Sequence, residues 1–313
     1  MAKYKKALVT GGAGFIGSHI VDALIKRRIK VYVVDDLSSG KKANLNPNAR
    51  FYKMSITSPN FPKLIRRLKP DVIFHYAAQK DVRLSVANPD KDAKVNIMGS
   101  LALIQAAHQA GTKKIVFAST GGAMYSEQAR LPYNESLIPA PICPYAIAKR
   151  ATELYLDFAR LEYGISAVCL RMSNVYGPRQ DAKGEAGVVA IFSEKMLKNQ
   201  QPKIFGTGRQ TRDYMYVGDA VQAAMLAMNR SVSGAFNIGT SRQTDLNALF
   251  RKIKKLTKSD VLEKHYPAKP GEVMCSALSY RLAEKRLGWR PKVKLDDGLK
   301  MTVDWFKQRS GRL

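Results

Sequence analysis

TGGAGFIG, Thr10 to Gly17, decides the reading of this chain. An apolar run, KKALVT (5–10), precedes it. An amphipathic stretch from Phe15 to Arg28 follows, with Ile16, Ile20, Ala23 and Leu24 on one face. The glycines therefore sit at a strand-to-helix turn. Gly11 permits a tight turn, Gly14 lets backbone approach a pyrophosphate, and Gly17 lets the helix pack on the strand. The G-x-x-G-x-x-G spacing is a variant of the dinucleotide fingerprint, and the helix that follows would turn its positive end toward phosphates. The next apolar run, KVYVVDD (30–36), ends in Asp35, 18 residues after Gly17. A carboxylate there accepts hydrogen bonds from an adenosine ribose and repels a 2′-phosphate, which favours NAD over NADP. The competing reading, a glycine-rich turn with a strand-end aspartate cap, does not need this spacing.

Outward from the turn, strands and helices alternate. Further strands are predicted at 50–53, DVIFHYA (71–77), KKIVFAST (113–120) and ISAVCLR (165–171), and helices over 61–68, 90–110 and 146–163. Near-continuous apolar strands joined by helices predict a parallel sheet covered on both faces, an α/β Rossmann-type doubly wound fold. After Arg171 the rhythm changes, and Pro and Gly become frequent in YGPRQ, FGTGRQT and YPAKPGE. The expected division is a dinucleotide-binding domain over residues 1–171 and a smaller lobe over 172–313, with the strand AFNIGT (235–240) returning to the main sheet.

Composition narrows the function classes. The chain has 313 residues and 45% hydrophobic content, which suits a large buried core. No apolar run reaches the ~18 residues of a membrane span, and the N-terminal MAKYKKALVTGG reads as a first strand, not a signal peptide. Three scattered cysteines (Cys143, Cys169, Cys275) and four histidines without an H-E-x-x-H pair argue against a disulfide framework or a metal site, and suit a reducing cytoplasm. The net charge of +27 raises nucleic-acid binding as a question. The basic residues come in twos and threes, with no uninterrupted arm and no RNP-like aromatic motif, so specific nucleic-acid recognition is not expected.

The stretch PYAIAK (144–149) places Tyr145 and Lys149 four residues apart, on one face of a helix. A phenol ordinarily titrates near ~10. A nearby ammonium and a positively charged nicotinamide both favour the phenolate, as a general base requires. Alone, Y-x-x-x-K would be an ordinary amphipathic pair; after a dinucleotide fingerprint it points to catalysis.

At this point the chain resembles the extended short-chain dehydrogenase/reductases, and within them the UDP-glucose 4-epimerase group. The resemblance runs nearly end to end through TGGAGFIGSHI, VVDDLSSG, FHYAAQKDVRLSVANP, VNIMGSL, PYAIAK, RMSNVYGPRQ, FGTGRQTRDYMYVGD, FNIGT and KPGEVMCSALSYRLAEKRLGW. It implies NAD-dependent 4-epimerisation of a UDP-hexose by transient oxidation at C4. By position, Tyr145 would be the base and Lys149 its activator and a ribose ligand. Cofactor ligands would be Gly11, Gly14, Phe15, Ile16, Gly17, Asp35, Asp36, Lys80 and Asn96. Substrate ligands would be Thr120, Asn174, Arg212 as a diphosphate clamp, Lys269 and Ser276. A homodimer built on the helices at 90–110 and 146–163 is also implied.

Departures from the family pattern carry information. The Ser or Thr usual four residues before Tyr125 is Gly121, which leaves Ser119 and Thr120 as the nearest hydroxyls, with Thr120 the expected sugar contact. Lys269 stands for a usual arginine and Ser55 for an aspartate that contacts adenine. Dehydratase and decarboxylase relatives carry acids just before the equivalent of Met124, where this chain has Gly122 and Ala123. No carboxyl group is there to protonate a leaving hydroxyl, which disfavours dehydration. Ser276 is small where relatives are either bulky or small, and a small residue resembles enzymes that also accept N-acetylated sugars. A UDP-uronic acid 4-epimerase is the nearest alternative, and a non-catalytic NAD- or nucleic-acid-binding module the alternative outside enzymes.

Overall fold

The structure, a computed structural model, describes residues 4–182, 187–268, 273–309 and 311. Six strands carry the first half: β1 (Lys6–Thr10), β2 (Lys30–Asp35), β3 (Arg50–Lys53), β4 (Val72–His75), β5 (Lys114–Thr120) and β6 (Ser166–Met172). Four short strands follow, β7 (Asn174–Tyr176), β8 (Ile204–Phe205), β9 (Thr211–Arg212) and β10 (Tyr214–Tyr216), and then β11 (Gly234–Ile238). The main sheet is parallel throughout, in the order β11-β6-β5-β4-β1-β2-β3. The chain runs outward through β2 and β3 and then returns to lay β4 beside β1. A crevice opens beyond the strand ends at such a reversal, and ligands of doubly wound sheets bind there.

Alternation of side chains builds the two covering layers. Val9, Val33, Phe74, Val116 and Leu170 point to one face, where α1 (Phe15–Lys26) and α8 (Val217–Asn229) bury Ile20, Leu24, Ala223 and Ala227 against them. Leu8, Val34, Ile73, Ile115 and Cys169 point to the other, under α2 (Asn60–Leu68), α5 (Gly99–Gln109) and α6 (Pro144–Glu162). β11 and α8 come from the second half of the sequence, so both halves build the sheet layer. A separate core lies among α7 (Val188–Leu197), α9 (Leu246–Thr257) and α11 (Leu295–Arg309), around Phe192, Phe250 and Val303. No helix among the described residues is long and apolar enough to cross a membrane.

Two helices differ from the sequence expectation. α1 ends at Lys26, and Arg28 turns the chain with φ 59°. The helix expected over 90–110 is three pieces, α4 (Pro89–Ala93), a wide turn over Lys94–Met98 and α5, preceded by α3 (Val82–Ala87). Short polar side chains make the breaks: Asp81 caps α3 by accepting from the Leu84 N–H, and Asn88 caps α4 by accepting from the Lys91 N–H. In the wide turn the Asn96 carbonyl is released to side chains, accepting from Ser100 Oγ at 2.6 Å and Thr152 Oγ1 at 3.0 Å. That contact ties the α4–α5 layer to α6.

Candidate active site

The glycine turn leaves β1 at the sheet reversal. Gly11 has φ +71°, and a Cβ there would lie 2.7 Å from the Ala77 nitrogen behind β4. A Cβ on Gly17 would overlap the Gly11 carbonyl. Gly14 donates to that same carbonyl at 3.0 Å. No side chain caps α1, so the N–H groups of Phe15 and Ile16 stay available to an anion. Asp35 ends β2 within reach of this turn. Its carboxylate accepts from Ala13 N–H at 3.0 Å and Leu37 N–H at 2.8 Å. Burial raises its pKa against the pull of those two N–H groups, and neighbouring Asp36 adds to the rise. Asp36 is exposed and caps the Ser38 N–H at 2.9 Å. The bare cradle, the uncapped helix end and the strand-end carboxylate fit a dinucleotide.

Asn96 has other partners. Its amide nitrogen donates to the Gln79 carbonyl and to Asp92, and its oxygen accepts from the Gln79 N–H. Those bonds make it a clip for the loop behind β4. Lys80, next in that loop, is exposed.

Tyr145 opens α6 in the first turn after Pro144, and Lys149 lies one turn on. The Lys149 ammonium is buried, donates to the Ala118 carbonyl of β5 at 2.8 Å and sits 5.7 Å from the centre of the Tyr145 ring. Burial lowers its pKa to about 8, with Asp92, Glu153 and Cys169 resisting. At the phenol of Tyr145, burial, then Cys143 and Asp92, act to raise the pKa. The ammonium, hydrogen-bonded to a neutral carbonyl, keeps its charge and lies against the ring.

The expected substrate residues come from distant segments. Thr120 ends β5, partly exposed, and its hydroxyl has no partner among the described residues. Ser119 differs, since its hydroxyl donates to buried Glu153 at 2.6 Å. Gly121 has a physical reason to lack a side chain, because a Cβ would run into Leu278. Gly122 faces Asn174 of β7, with 4.0 Å between a Cβ position and the amide oxygen. Arg212 is in β9, paired with β12 (Thr244–Asp245). Ser276 is buried, and its hydroxyl has no hydrogen-bond partner among the described residues. Lys269 lies outside the described residues.

Sequence reasoning missed two organising carboxylates. Asp213, adjacent to Arg212, accepts from the N–H groups of Thr240, Ser241 and Leu278 and from the Thr240 hydroxyl. Glu153 forms a two-point ion pair with Arg171. The signal for Glu153 was present, one turn beyond Lys149 on the same helix face; nothing local marks Asp213.

Against known proteins, the NAD dependent epimerase/dehydratase family matches residues 7–239. The UDP-glucose 4-epimerase of Thermotoga maritima, solved with UDP-glucose, shares 50% identity at a TM-score of 0.96, covering 97% of this chain and 99% of that one. The Thermus thermophilus UDP-glucose 4-epimerase in complex with NAD shares 40% identity at 0.91, covering 96% and 99%. A UDP-N-acetylglucosamine 4-epimerase from Methanobrevibacter ruminantium, in complex with UDP-N-acetylmuramic acid, shares 36% at 0.93, covering 98% and 100%.

Proposed function

The chain belongs to the NAD dependent epimerase/dehydratase family, and from that premise we propose that it inverts C4 of UDP-glucose and UDP-galactose, and of their N-acetylated forms. The observation that carries the reading is the Lys149 ammonium joining α6, with Tyr145, to the end of β5, beside the two side-chain-free positions Gly121 and Gly122. NAD would supply the redox chemistry, taking hydride from C4 and returning it, and its oxidised ring would add a second positive charge to that of Lys149 beside the phenol. Tyr145 takes the C4 hydroxyl proton and later returns it, and Thr120 hydrogen-bonds the same oxygen. The 4-keto sugar turns about its diphosphate before reduction on the opposite face. Asn174, Arg212 and Lys269 hold the diphosphate and uridine side in the lobe we assign to residues 172–313, and a planar cation such as Arg212 suits a diphosphate.

Incubation with UDP-galactose, UDP-glucose and their N-acetyl forms, without added NAD, followed by separation of C4 epimers, tests the reading. Wild-type protein interconverts each pair. Tyr145→Phe retains NAD and loses roughly 10³-fold in kcat, within the range for one general base. Turnover by the phenylalanine variant at the wild-type rate would remove Tyr145 from the mechanism. Turnover of the unacetylated pair alone would remove Ser276 as a specificity determinant.

An apolar stripe supports a homodimer. Ile147, Leu154, Phe158 and Leu161 of α6, with Val86 and Met98, are exposed together, Leu161 at 68%. Such stripes mark interfaces, and two copies would pair their helices as a bundle. Phe158→Glu halves the solution mass in light scattering; a wild-type protein that is already a monomer at micromolar concentration defeats the proposal. The free cysteines, with Cys143 and Cys169 buried, suit the reducing cytoplasm that we assign.

A further inference from the structure

A buried polar chain runs beneath the site and has no part in the chemistry above. Its centre is Glu153, one turn beyond Lys149. One carboxylate oxygen accepts from Ser119 Oγ at 2.6 Å and Arg171 Nε at 2.9 Å; the other accepts from Arg171 Nη2 at 2.7 Å and Arg150 Nη1 at 3.0 Å. Arg171 continues to the Tyr125 hydroxyl at 2.9 Å, which donates to the Asn237 amide oxygen at 2.7 Å. Asn237 donates to the Tyr133 carbonyl at 3.0 Å and, from its backbone, to Glu135 at 2.6 Å. The chain thus joins α6, β5, β6, β11 and the loop over 121–135.

An ion pair this deeply buried is a poor device for stability. Desolvation of both charges offsets most of their attraction, and well-packed apolar residues of similar volume often serve as well or better. What apolar residues cannot supply is a fixed register. Ser119 adjoins Thr120, and Tyr125 closes the turn through Gly121 and Gly122.

We propose that Glu153 is a positioning residue for the epimerisation: locked by Arg171, it holds Ser119, and through it Thr120, together with the Tyr125 turn in one register against the helix that carries Tyr145 and Lys149. The proposal rests on the epimerase reading. During turnover the sugar must present both faces to the same groups, so the wall it turns against has to keep its place. A shift of about 1 Å between reacting groups is enough to cost roughly 10²-fold in rate.

The test uses the full-length protein in three forms: wild type, Glu153→Gln, and the paired variant Glu153→Leu with Arg171→Met. The paired variant removes both charges together, so its Tm stays at or above that of Glu153→Gln. The expected result is a kcat lower by 10- to 100-fold in the paired variant, with KM for the UDP-sugar within threefold of wild type and NAD content unchanged. A second readout does not depend on turnover. In protein labelled at tyrosine Cζ with carbon-13, the Tyr145 line is assigned by its absence from Tyr145→Phe. That line is single in wild type and shifted or split in the paired variant. A paired variant with wild-type kcat, or with an unmoved Tyr145 line, overturns the proposal. Wild-type protein inert on every UDP-sugar overturns the epimerase reading instead, and the Tyr145 line still judges the positioning role.

Discussion

The glycine turn after β1 and the wall around Asp213 lie at the same end of one sheet and are held by different means. At the turn, neighbours in sequence hold one another: Gly14 donates to Gly11, Ser18 donates to Gly14, and Gly17 packs directly on Gly11. The geometry is a property of the backbone, and side chains matter there by being absent. At the wall, Asp213 gathers Thr240, 27 residues on, and Leu278, 65 residues on. Gly121 in turn leans on Leu278. The wall is a set of side-chain clasps between segments that meet only in the folded chain. The turn should therefore fail by steric overlap, and the wall by replacement of its carboxylate acceptors.

Gly17→Ala has the largest expected effect. The new Cβ overlaps the Gly11 carbonyl, a backbone atom in a turn already at φ +71°, so helix and strand must part. NAD binding weakens by about 4 kcal/mol, near a thousandfold, and protein purified without added nucleotide carries no NAD. The sheet edge away from the turn is untouched, so hydrogen exchange in β5 and β6 stays at wild-type levels. An alanine variant that retains NAD would show that the turn is not the rigid element described here.

Asp213→Asn attacks the wall. The carboxylate accepts five bonds on two oxygens. An amide keeps one acceptor and turns a donor toward backbone N–H groups. Unfolding by urea should show a loss of about 3 kcal/mol, the scale for buried donors left unsatisfied. KM for the UDP-sugar rises because Arg212, the diphosphate clamp we propose, is the residue before Asp213, whereas NAD content is unchanged. Loss of NAD together with the rise in KM would mean that the two edges are one mechanical unit.

The same contrast explains what the sequence disclosed. The turn, Asp35, and the Tyr145–Lys149 pair are each specified within about one helical turn or one strand, and a reader of the sequence finds them. What stays hidden is which partner a side chain takes. That Gln79 and Asp92 hold the Asn96 amide is visible only in the folded chain. Lys149 is legible one turn from Tyr145, but the carbonyl 31 residues away that accepts from its ammonium is not. Ser119 and Thr120 are equivalent on paper; only Glu153 separates them. Asp213 has no local signal, because its partners are recruited by folding.

Acid should separate the two edges, and here the expected effect is smallest. His75 ends β4 against the glycine turn, fully buried. Ser100 Oγ spends its proton on the Asn96 carbonyl, so His75 Nε2 donates to Ser100 at 2.9 Å, and Nδ1 accepts from Thr10 Oγ1 at 2.8 Å. Both nitrogens are satisfied only in the neutral ring. Burial, helped by Lys149, lowers the pKa from 6.5 to about 3. The unfolded chain therefore binds the extra proton first, and stability present above pH 6.5 drains away as pH falls toward 3, at about 1.4 kcal/mol per unit. By pH 5 the loss is about 2 kcal/mol. Asp213 has the opposite sign. Its pKa is raised by burial, so protonation relieves a cost in the folded state, and acid does not weaken the wall by this route. Between pH 6.5 and 5, amide protection should fall first in β1 and β4, with NAD released, while residues 211–216 and 239–241 keep theirs. His75→Gln, which does not titrate, flattens the slope. If wild type and variant lose stability in parallel over this range, or if the wall opens first, the acid-sensitive group lies elsewhere and the two edges are not held as described.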